Sequence, residues 1–530
     1  MGKMINWVKQ HRTTLIMTAV FTLFPLLCAM LWSLWNGKTI GEVYLPASYW
    51  NDELMYYKQV EAVVEHGWPI GYFGYNETHA QSLYFAVWNP VILLPWCIWG
   101  FLFGWNLISP VYANLCYSML CMGGFYLLAR PGKQKSAWIL GMLAIFTPFT
   151  RYLLSGMPES IFMALTILFM GYVVAWMHKQ SWGYLAAMFV ITLFFSLARP
   201  YLILFMLLPI FFCVQKYKFK GLAASVLLFV SAAVGYVIIA KYTTSSYIDI
   251  SLDTDWLKLF VTDGVGAGFS YVFQTLSEKF AILFTDYLRN AVKYGLFSGS
   301  LYAVTGFLAV LSALWLGMLY IKKECLSLRW LYWHFCISVV GMILALFLFY
   351  KMSEGSKHLM SFIVLGLLLL GLTEKRVLVM KLSAMAVCAY FLIFKAYDPY
   401  DWQVPYDDGM LKQEVERLEA QVDANMELQP SSEDPYENTI IWLWYDMVDG
   451  ENIHVSWGLI YAMPDGFAVN FCTREYVVDH ITELHSAYIA LLPGGEVERL
   501  VLEHGYIKVA ETERMAVYER QNLSVVYPVD

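Results

Sequence analysis

Residues Thr13 to Trp35 read TTLIMTAVFTLFPLLCAMLWSLW, a run without a single charged side chain. As a helix rising about 1.5 Å per residue it is long enough to cross a hydrocarbon core roughly 30 Å thick. Lys3, Lys9 and Arg12 precede it in the manner of a signal sequence. The run is too long for a signal-peptide core and no small-x-small cleavage site follows, so it is expected to stay as a first span. Comparable apolar runs recur as far as Phe394. Of 530 residues 59% are hydrophobic and 15% charged, with mean hydropathy +0.52; a soluble globular chain carries about a quarter charged residues. The composition therefore excludes a large soluble protein and implies a polytopic α-helical membrane protein.

Working outward, basic residues orient the spans, because short cytoplasmic loops carry the Lys/Arg excess. The clusters are Lys3/Lys9/Arg12, Arg130/Lys133/Lys135, Lys179, Lys216/Lys218/Lys220, Lys322/Lys323/Arg329 and Lys375/Arg376/Lys381. Placing all of them inside predicts eleven crossings, near 13–35, 108–129, 136–150, 160–177, 182–198, 201–215, 221–240, 300–321, 331–350, 358–373 and 377–395. The N-terminus is then cytoplasmic and the chain end extracytoplasmic. Leu83–Trp105 is apolar but broken by Pro90 and Pro95. A single crossing there would invert every later loop, so residues 83–106 are expected to be re-entrant or interfacial on the outer face.

Residues 1–396 thus read as one transmembrane module, with outer loops at 36–82 and 241–298. Residues 397–530 read as a separate, acidic, extracytoplasmic α/β domain. From Tyr397 onward there are 26 acids against 7 Lys and Arg, while the whole chain is at −7. Such an acidic face repels polyanions, so no nucleic acid partner is expected. Expected elements are a heptad-like helix over 409–425 and strands over 439–444 and 486–492. A helix over 495–504 and a hairpin or strand pair over 506–518 complete the domain. Only Cys472 of nine cysteines falls there, so an internal disulfide is excluded. Nothing has metal-ligand spacing.

The first outer loop contains Asp52 and Glu53 side by side. Transfer from a polyprenyl phosphate has a good leaving group and needs no general acid, so one base that deprotonates the acceptor suffices. A neighbouring acid can hold that base or the sugar hydroxyls; the plain alternative is two solvated loop acids. Trp50, Tyr56 and Tyr57 crowd the same loop and are candidate sugar or acceptor contacts, or else part of an interfacial aromatic belt. A phosphate leaving group also calls for cations at the outer ends of spans. Arg151, Arg199, Lys357 and His358 are placed there, Arg199 within Leu197-Ala-Arg-Pro-Tyr201. Arg offers phosphate a bidentate fork. Pairing of Arg151 with Glu159 and snorkelling of Lys357 are the structural alternatives.

A long first outer loop with Asp-Glu, then an apolar outer segment ending in Leu102-Phe-Gly-Trp105, then a span closing on a basic turn, resembles the GT-C glycosyltransferases. That class includes the protein O-mannosyltransferases and the aminoarabinose transferases. The resemblance covers roughly residues 1–395 and implies polyprenyl-phosphate-linked sugars as donors, used on the outer face. It implies Asp52 as the base and Glu53 as its partner. Met157-Pro-Glu-Ser160 stands where the class often has an outer-loop acid after an Arg, here Glu159 after Arg151, and Gly355-Ser-Lys-His358 has Lys where Arg is more usual.

The resulting expectation is a multi-pass plasma-membrane glycosyltransferase working by inverting single displacement. Its acceptor is a glycan, lipid or protein that the sequence leaves open. No cofactor is expected, and metal dependence is left open. The rival from another class is a non-catalytic transporter or flippase of lipid-linked glycans. Transporters commonly carry internal repeats and intramembrane charges; this chain shows no repeat, and its acids concentrate at the expected outer surface. The orientation is checked by reporter fusions: one after Asp530 should report the extracytoplasmic side and one within Lys133–Lys135 the cytoplasm. A Lys133–Lys135 fusion reporting outside overturns the orientation.

Overall fold

The computed structural model describes residues 2–35, 37, 39–40, 51–67, 73–77, 90–243, 255–294, 301–349, 356–373, 377–394, 410–429, 435–464 and 466–521. The chain divides into two compact units. One combines Met1–Ile40, Val111–Ile238 and Ser251–Trp402; the other combines Gly41–Pro110, Ile239–Ile250 and Gln403–Asp530. This differs from the expected boundary at 396, because residues from the segment expected as the first outer loop fold with the chain's C-terminal part.

The first unit is helical, and six helices among the described residues are long and apolar enough to cross a membrane: Arg12–Trp35, Ser109–Ala129, Glu159–His178, Pro200–Thr243, Leu301–Ile321 and Leu326–Phe349. Shorter apolar helices include Trp182–Ala198, Lys357–Leu372 and Leu378–Ile393. On the first helix Leu23, Leu27, Leu31 and Leu34 form an exposed stripe at helical spacing, a surface suited to lipid rather than water. Met360–Leu372 is the opposite case: it is buried along nearly its whole length and packs against Glu159–His178, Lys133–Ile145 and Leu301–Ile321. A helix apolar all round belongs in the middle of a bundle.

Leu207–Thr243 is one helix in name only, since Lys218 adopts φ 54°, ψ −130° within it. A Cβ on Gly221 would meet the Cys213 carbonyl oxygen at 2.4 Å, so the chain doubles back sharply at the basic turn Lys216–Lys220. The span expected over 136–150 is split into Lys133–Ile145 and Thr147–Leu153, with Pro148 just inside the second piece. The long loop expected over 241–298 holds two helices, Asp255–Thr262 and Val265–Tyr294. Its apolar residues recur every three to four positions (Phe269, Val272, Phe273, Leu276, Phe280), a helical period overlooked in reading it as loop.

The second unit is built on a sheet of strands β1 (Phe73–Tyr75), β2 (Thr439–Leu443), β5 (Ala468–Cys472), β6 (Tyr488–Leu491), β7 (Tyr506–Glu511) and β8 (Ala516–Arg520). A separate hairpin joins β3 (Tyr445–Val448) to β4 (Glu451–His454). The order is β1-β5-β2-β6-β8-β7, parallel from β1 to β6 and antiparallel across β8 and β7. β2, β5 and β6 are buried at every position, as interior parallel strands are. The expected helices at 409–425 and 495–504 appear as Met410–Asn425 and Glu496–Glu503, and Val415, Leu418 and Val422 enter the core.

β1 comes from the segment expected to be loop. Phe73 pairs with Val469 and Tyr75 with Phe471. Ahead of it, Asn51–His66 is a helix whose Leu54, Met55 and Tyr57 join the same core as Leu459, Ile460 and Tyr461. Lys58 Nζ donates to the Met463 carbonyl at 2.6 Å. Leu94–Phe103 is a ten-residue helix, about 15 Å long and too short to cross alone; Leu83–Asn89 lies outside the described residues. Trp105 Nε1 donates to the Tyr57 carbonyl at 3.2 Å.

Immediately after β1, Asn76 and Glu77 both take left-handed conformations, φ 46° and 56°, which non-glycine residues hold only when contacts enforce them. Glu77 is buried and its carboxylate accepts from the amides of His485 (3.1 Å) and Ser486 (2.6 Å) and from the Ser486 hydroxyl (2.6 Å). Glu77→Ala orphans these donors and should destabilise this unit by about 2–4 kcal/mol. Chemical denaturation followed by the fluorescence of Trp442 and its neighbours measures it; an unchanged midpoint would show the anchor to be unimportant.

Candidate active site

Within the helical unit, Glu159, Arg199, Tyr201 and His358 meet in one buried cluster. Helix ends place each of them. Glu159 opens helix Glu159–His178 directly after Pro158, where the positive end of the helix dipole favours a carboxylate. Arg199 caps the C-terminus of Trp182–Ala198, where the negative end favours a cation. Pro200 comes next and disfavours helical backbone at the preceding residue, so Arg199 is extended, φ −143°, ψ 115°. The chain then re-enters as the 3-10 turn Pro200–Met206, which carries Tyr201. His358 lies in the turn Ser356–Leu359 that leads into Met360–Leu372.

Arg199 Nη1 donates to Glu159 Oε1 at 2.6 Å and to the Tyr201 hydroxyl at 2.9 Å, and sits 2.9 Å from His358 Nδ1. The Tyr201 hydroxyl is 2.8 Å from the same Nδ1. With Arg199 donating to it, the tyrosine has its own proton to give to Nδ1, which assigns the imidazole proton to Nε2. The guanidinium also lies 5.2 Å from the centre of the Phe162 ring, within cation–π range. Arg199 is 1% exposed and Glu159 2%, so the pair is desolvated on both sides. Their mutual attraction offsets that desolvation, and losing one partner strands the other.

Three of the residues singled out in the sequence are thus brought together: Arg199, Glu159 and His358. The ion pair of Glu159 is with Arg199, not with Arg151 as the structural alternative had it. Arg151 is itself buried, on Thr147–Leu153, and Lys357 is half-buried in the turn beside His358. Tyr201 was missed as a functional residue. The only signal was its place one residue beyond the Pro that shapes Arg199, and tyrosine is too common in this chain to stand out.

Asp52 and Glu53 belong to the other unit, in the first turn of helix Asn51–His66. Their place at a helix N-terminus is electrostatically favourable. The expectation of two loop acids is corrected: Asp52 is half-buried, and Glu53 is 0% exposed. Tyr56 and Tyr57, expected to contact sugar or acceptor, are core side chains at 0% and 4%. Tyr56 packs on Trp96 and Tyr57 on Trp105 and Tyr461. Consecutive aromatics cannot be told apart as belt, ligand platform or core until the helix carrying them is docked. Trp50 lies outside the described residues. No group of three or more His, Cys, Asp or Glu among the described residues is arranged to hold a metal ion.

The solved structures similar to this chain include two that carry a bound lipid phosphate. One is the archaeal oligosaccharyltransferase AglB from Archaeoglobus fulgidus in complex with an inhibitory peptide and a dolichol-phosphate. It is 13% identical at a TM-score of 0.48, covering 98% of this chain and 75% of that one. The other is ArnT from Cupriavidus metallidurans bound to undecaprenyl phosphate, 12% identical at a TM-score of 0.41, covering 96% and 99%. No family model and no curated protein matches. At that level of likeness the chemistry of the site rests on this chain's own residues.

Arg199→Met alone should cost about 3–5 kcal/mol by leaving Glu159 buried without its cation, and Arg199→Met/Glu159→Met should recover most of it. Thermal unfolding of the purified full-length variants checks this; a double variant no more stable than the single one rules out the coupling.

Proposed function

We propose that this protein is a membrane glycosyltransferase that moves a sugar from a polyprenyl-phosphate donor to an acceptor on the extracytoplasmic face. The observation that carries the reading is the buried Arg199–Glu159–Tyr201–His358 cluster. A guanidinium positioned at the end of an apolar helix suits the stabilisation of a departing lipid phosphate. Glu159 neutralises it in the resting state, and Tyr201 and His358 fix its orientation, so little reorganisation is needed when charge develops. The resemblance of residues 1–395 to the GT-C class supports the same reading.

In the proposed step an acceptor hydroxyl oxygen attacks the anomeric carbon while the bond from that carbon to the phosphate oxygen breaks. The acceptor proton goes to a carboxylate base, the role the GT-C resemblance implies for Asp52, and the electron pair of the broken bond leaves with the polyprenyl phosphate. Arg199 and Lys357 stabilise that anion, and configuration at the anomeric carbon inverts. Asp52 suits the role of base better than Glu53, because Asp52 is half-buried whereas Glu53 is closed off from solvent. Glu53 then acts as a positioning residue within its helix.

The test is transfer from a membrane lipid extract by purified full-length variants. Asp52→Asn should lower kcat by about 10²-fold or more, the scale of a lost general base, with thermal unfolding unchanged. Glu53→Gln should reduce folded yield as well as rate. Arg199→Met/Glu159→Met, once stable, should remain inactive; a stable and active double variant makes the pair purely structural. Full activity in Asp52→Asn together with that result removes the proposed site altogether.

A further inference from the structure

At the other ends of several of these helices lies a cavity of about 690 Å³, lined by Arg130, Lys133, Lys135, His178, Thr373 and Lys381 among others. Among the described residues no Asp or Glu lines it, and none of Arg130, Lys133, Lys135 and Lys381 forms an ion pair. An excess of bases on one side of a membrane protein is ordinary; their convergence on one cavity is not.

Lys381 distinguishes the site from a solvated basic turn. It sits on the apolar helix Leu378–Phe394 and is 2% exposed. Its Nζ donates to the carbonyls of Gly371 (3.2 Å) and Thr373 (2.8 Å) at the end of Met360–Leu372, and it lies 5.8 Å from the centre of the Trp138 ring. An ammonium has three donors, and a buried cation held only by carbonyls stays uncompensated in charge. The helix Lys133–Ile145 also begins here. Its N-cap, Gly132, supplies no side chain to satisfy the first-turn amides, which therefore offer an anion a set of N–H donors and the positive end of a dipole.

We propose that this cavity binds a phosphate group, with Lys135, Lys133 and Arg130 gripping its oxygens and Lys381 supplying charge from beneath. Three long basic side chains, one buried cation and open helix amides match a tetrahedral oxyanion of more than one charge. The volume exceeds what a phosphate ion fills, and Ala129, Val174 and Leu372 add apolar lining. The phosphate of an anionic phospholipid headgroup suits both features, and a free phosphate has the same chemistry. The site is independent of the transfer reaction proposed above.

The experiment is native mass spectrometry of the full-length protein with three probes: phosphatidylglycerol, phosphatidylcholine and inorganic phosphate. Wild type should retain phosphatidylglycerol at least about tenfold better than phosphatidylcholine. Arg130→Gln/Lys133→Gln/Lys135→Gln, on exposed or half-exposed side chains, should fold normally and lose that preference. Lys322→Gln/Lys323→Gln, two charges removed at a different basic turn, should keep it. Inorganic phosphate competing the lipid away, or binding alone and vanishing in the triple variant, assigns the site to free phosphate. Retention unchanged in the triple variant, or equally reduced in the Lys322/Lys323 control, overturns the proposal.

Discussion

A charge inside an apolar helical unit has to bring its partner with it, and the arrangement of Arg199 and Glu159 obeys that constraint. Burying either alone would cost several kcal/mol; burying them 2.6 Å apart, each at the favourable end of a helix dipole, makes both tolerable. The requirement reaches beyond the two residues. Trp182–Ala198 has to end where Glu159–His178 begins, and the turn carrying His358 must present its ring nitrogen to the same guanidinium. Pro158 and Pro200 set those ends in the sequence by refusing to let the flanking residues continue a helix. The packing of Glu159–His178 against Met360–Leu372 then completes the bundle around the cluster.

The second unit obeys a different rule. Its central strands are buried on both faces, so specificity comes from the strand that closes the sheet edge. That edge is β1, three residues long, and three residues of parallel pairing hold little by themselves. The two residues just beyond the strand keep it in register: Asn76 and Glu77 hold left-handed backbone, and the Glu77 carboxylate sits on the amides of His485 and Ser486. The helix Asn51–His66 adds apolar burial through Leu54, Met55 and Tyr57. Polar anchoring and apolar docking together make a segment far away in the chain part of this core.

Much of this was legible in the sequence, and the exceptions have physical reasons. Apolar runs and basic turns located most helices of the first unit, and the turn at Lys218 falls where Lys216, Lys218 and Lys220 promised one. Charges in an apolar context flagged Arg199, Glu159 and His358 singly, yet which carboxylate pairs with which cation depends on three-dimensional packing of helices, and Arg151 was the wrong partner. In the C-terminal segment β2, β6 and the β7–β8 pair were readable from their β-branched and aromatic runs. β5 was not, and β1 could not be: three residues carry no periodicity, and their partners lie nearly four hundred positions away. The docking of helix Asn51–His66 was hidden for the same reason, since the core that receives its Leu54, Met55 and Tyr57 is built largely by residues beyond Met410.

The pairing of β1 with β5 also governs the order in which the protein can be made. Phe73 leaves the ribosome long before Val469, its partner across the sheet. At about 5–20 residues per second, the interval is on the order of 20–80 s. Through that time the helix Asn51–His66, with Leu54, Met55 and Tyr57 facing no core, and the Glu77 carboxylate, with no amides to accept from, must be carried unfolded while the intervening helices are inserted. The sheet can close only after Phe471 and Ser486 have emerged, so emergence of the chain's last quarter is the event that commits the segment around β1 to structure. A nascent chain halted before that point keeps its membrane helices but carries an unfinished segment around Asn51–His66 and β1, rich in aromatic side chains, as a ready substrate for proteases.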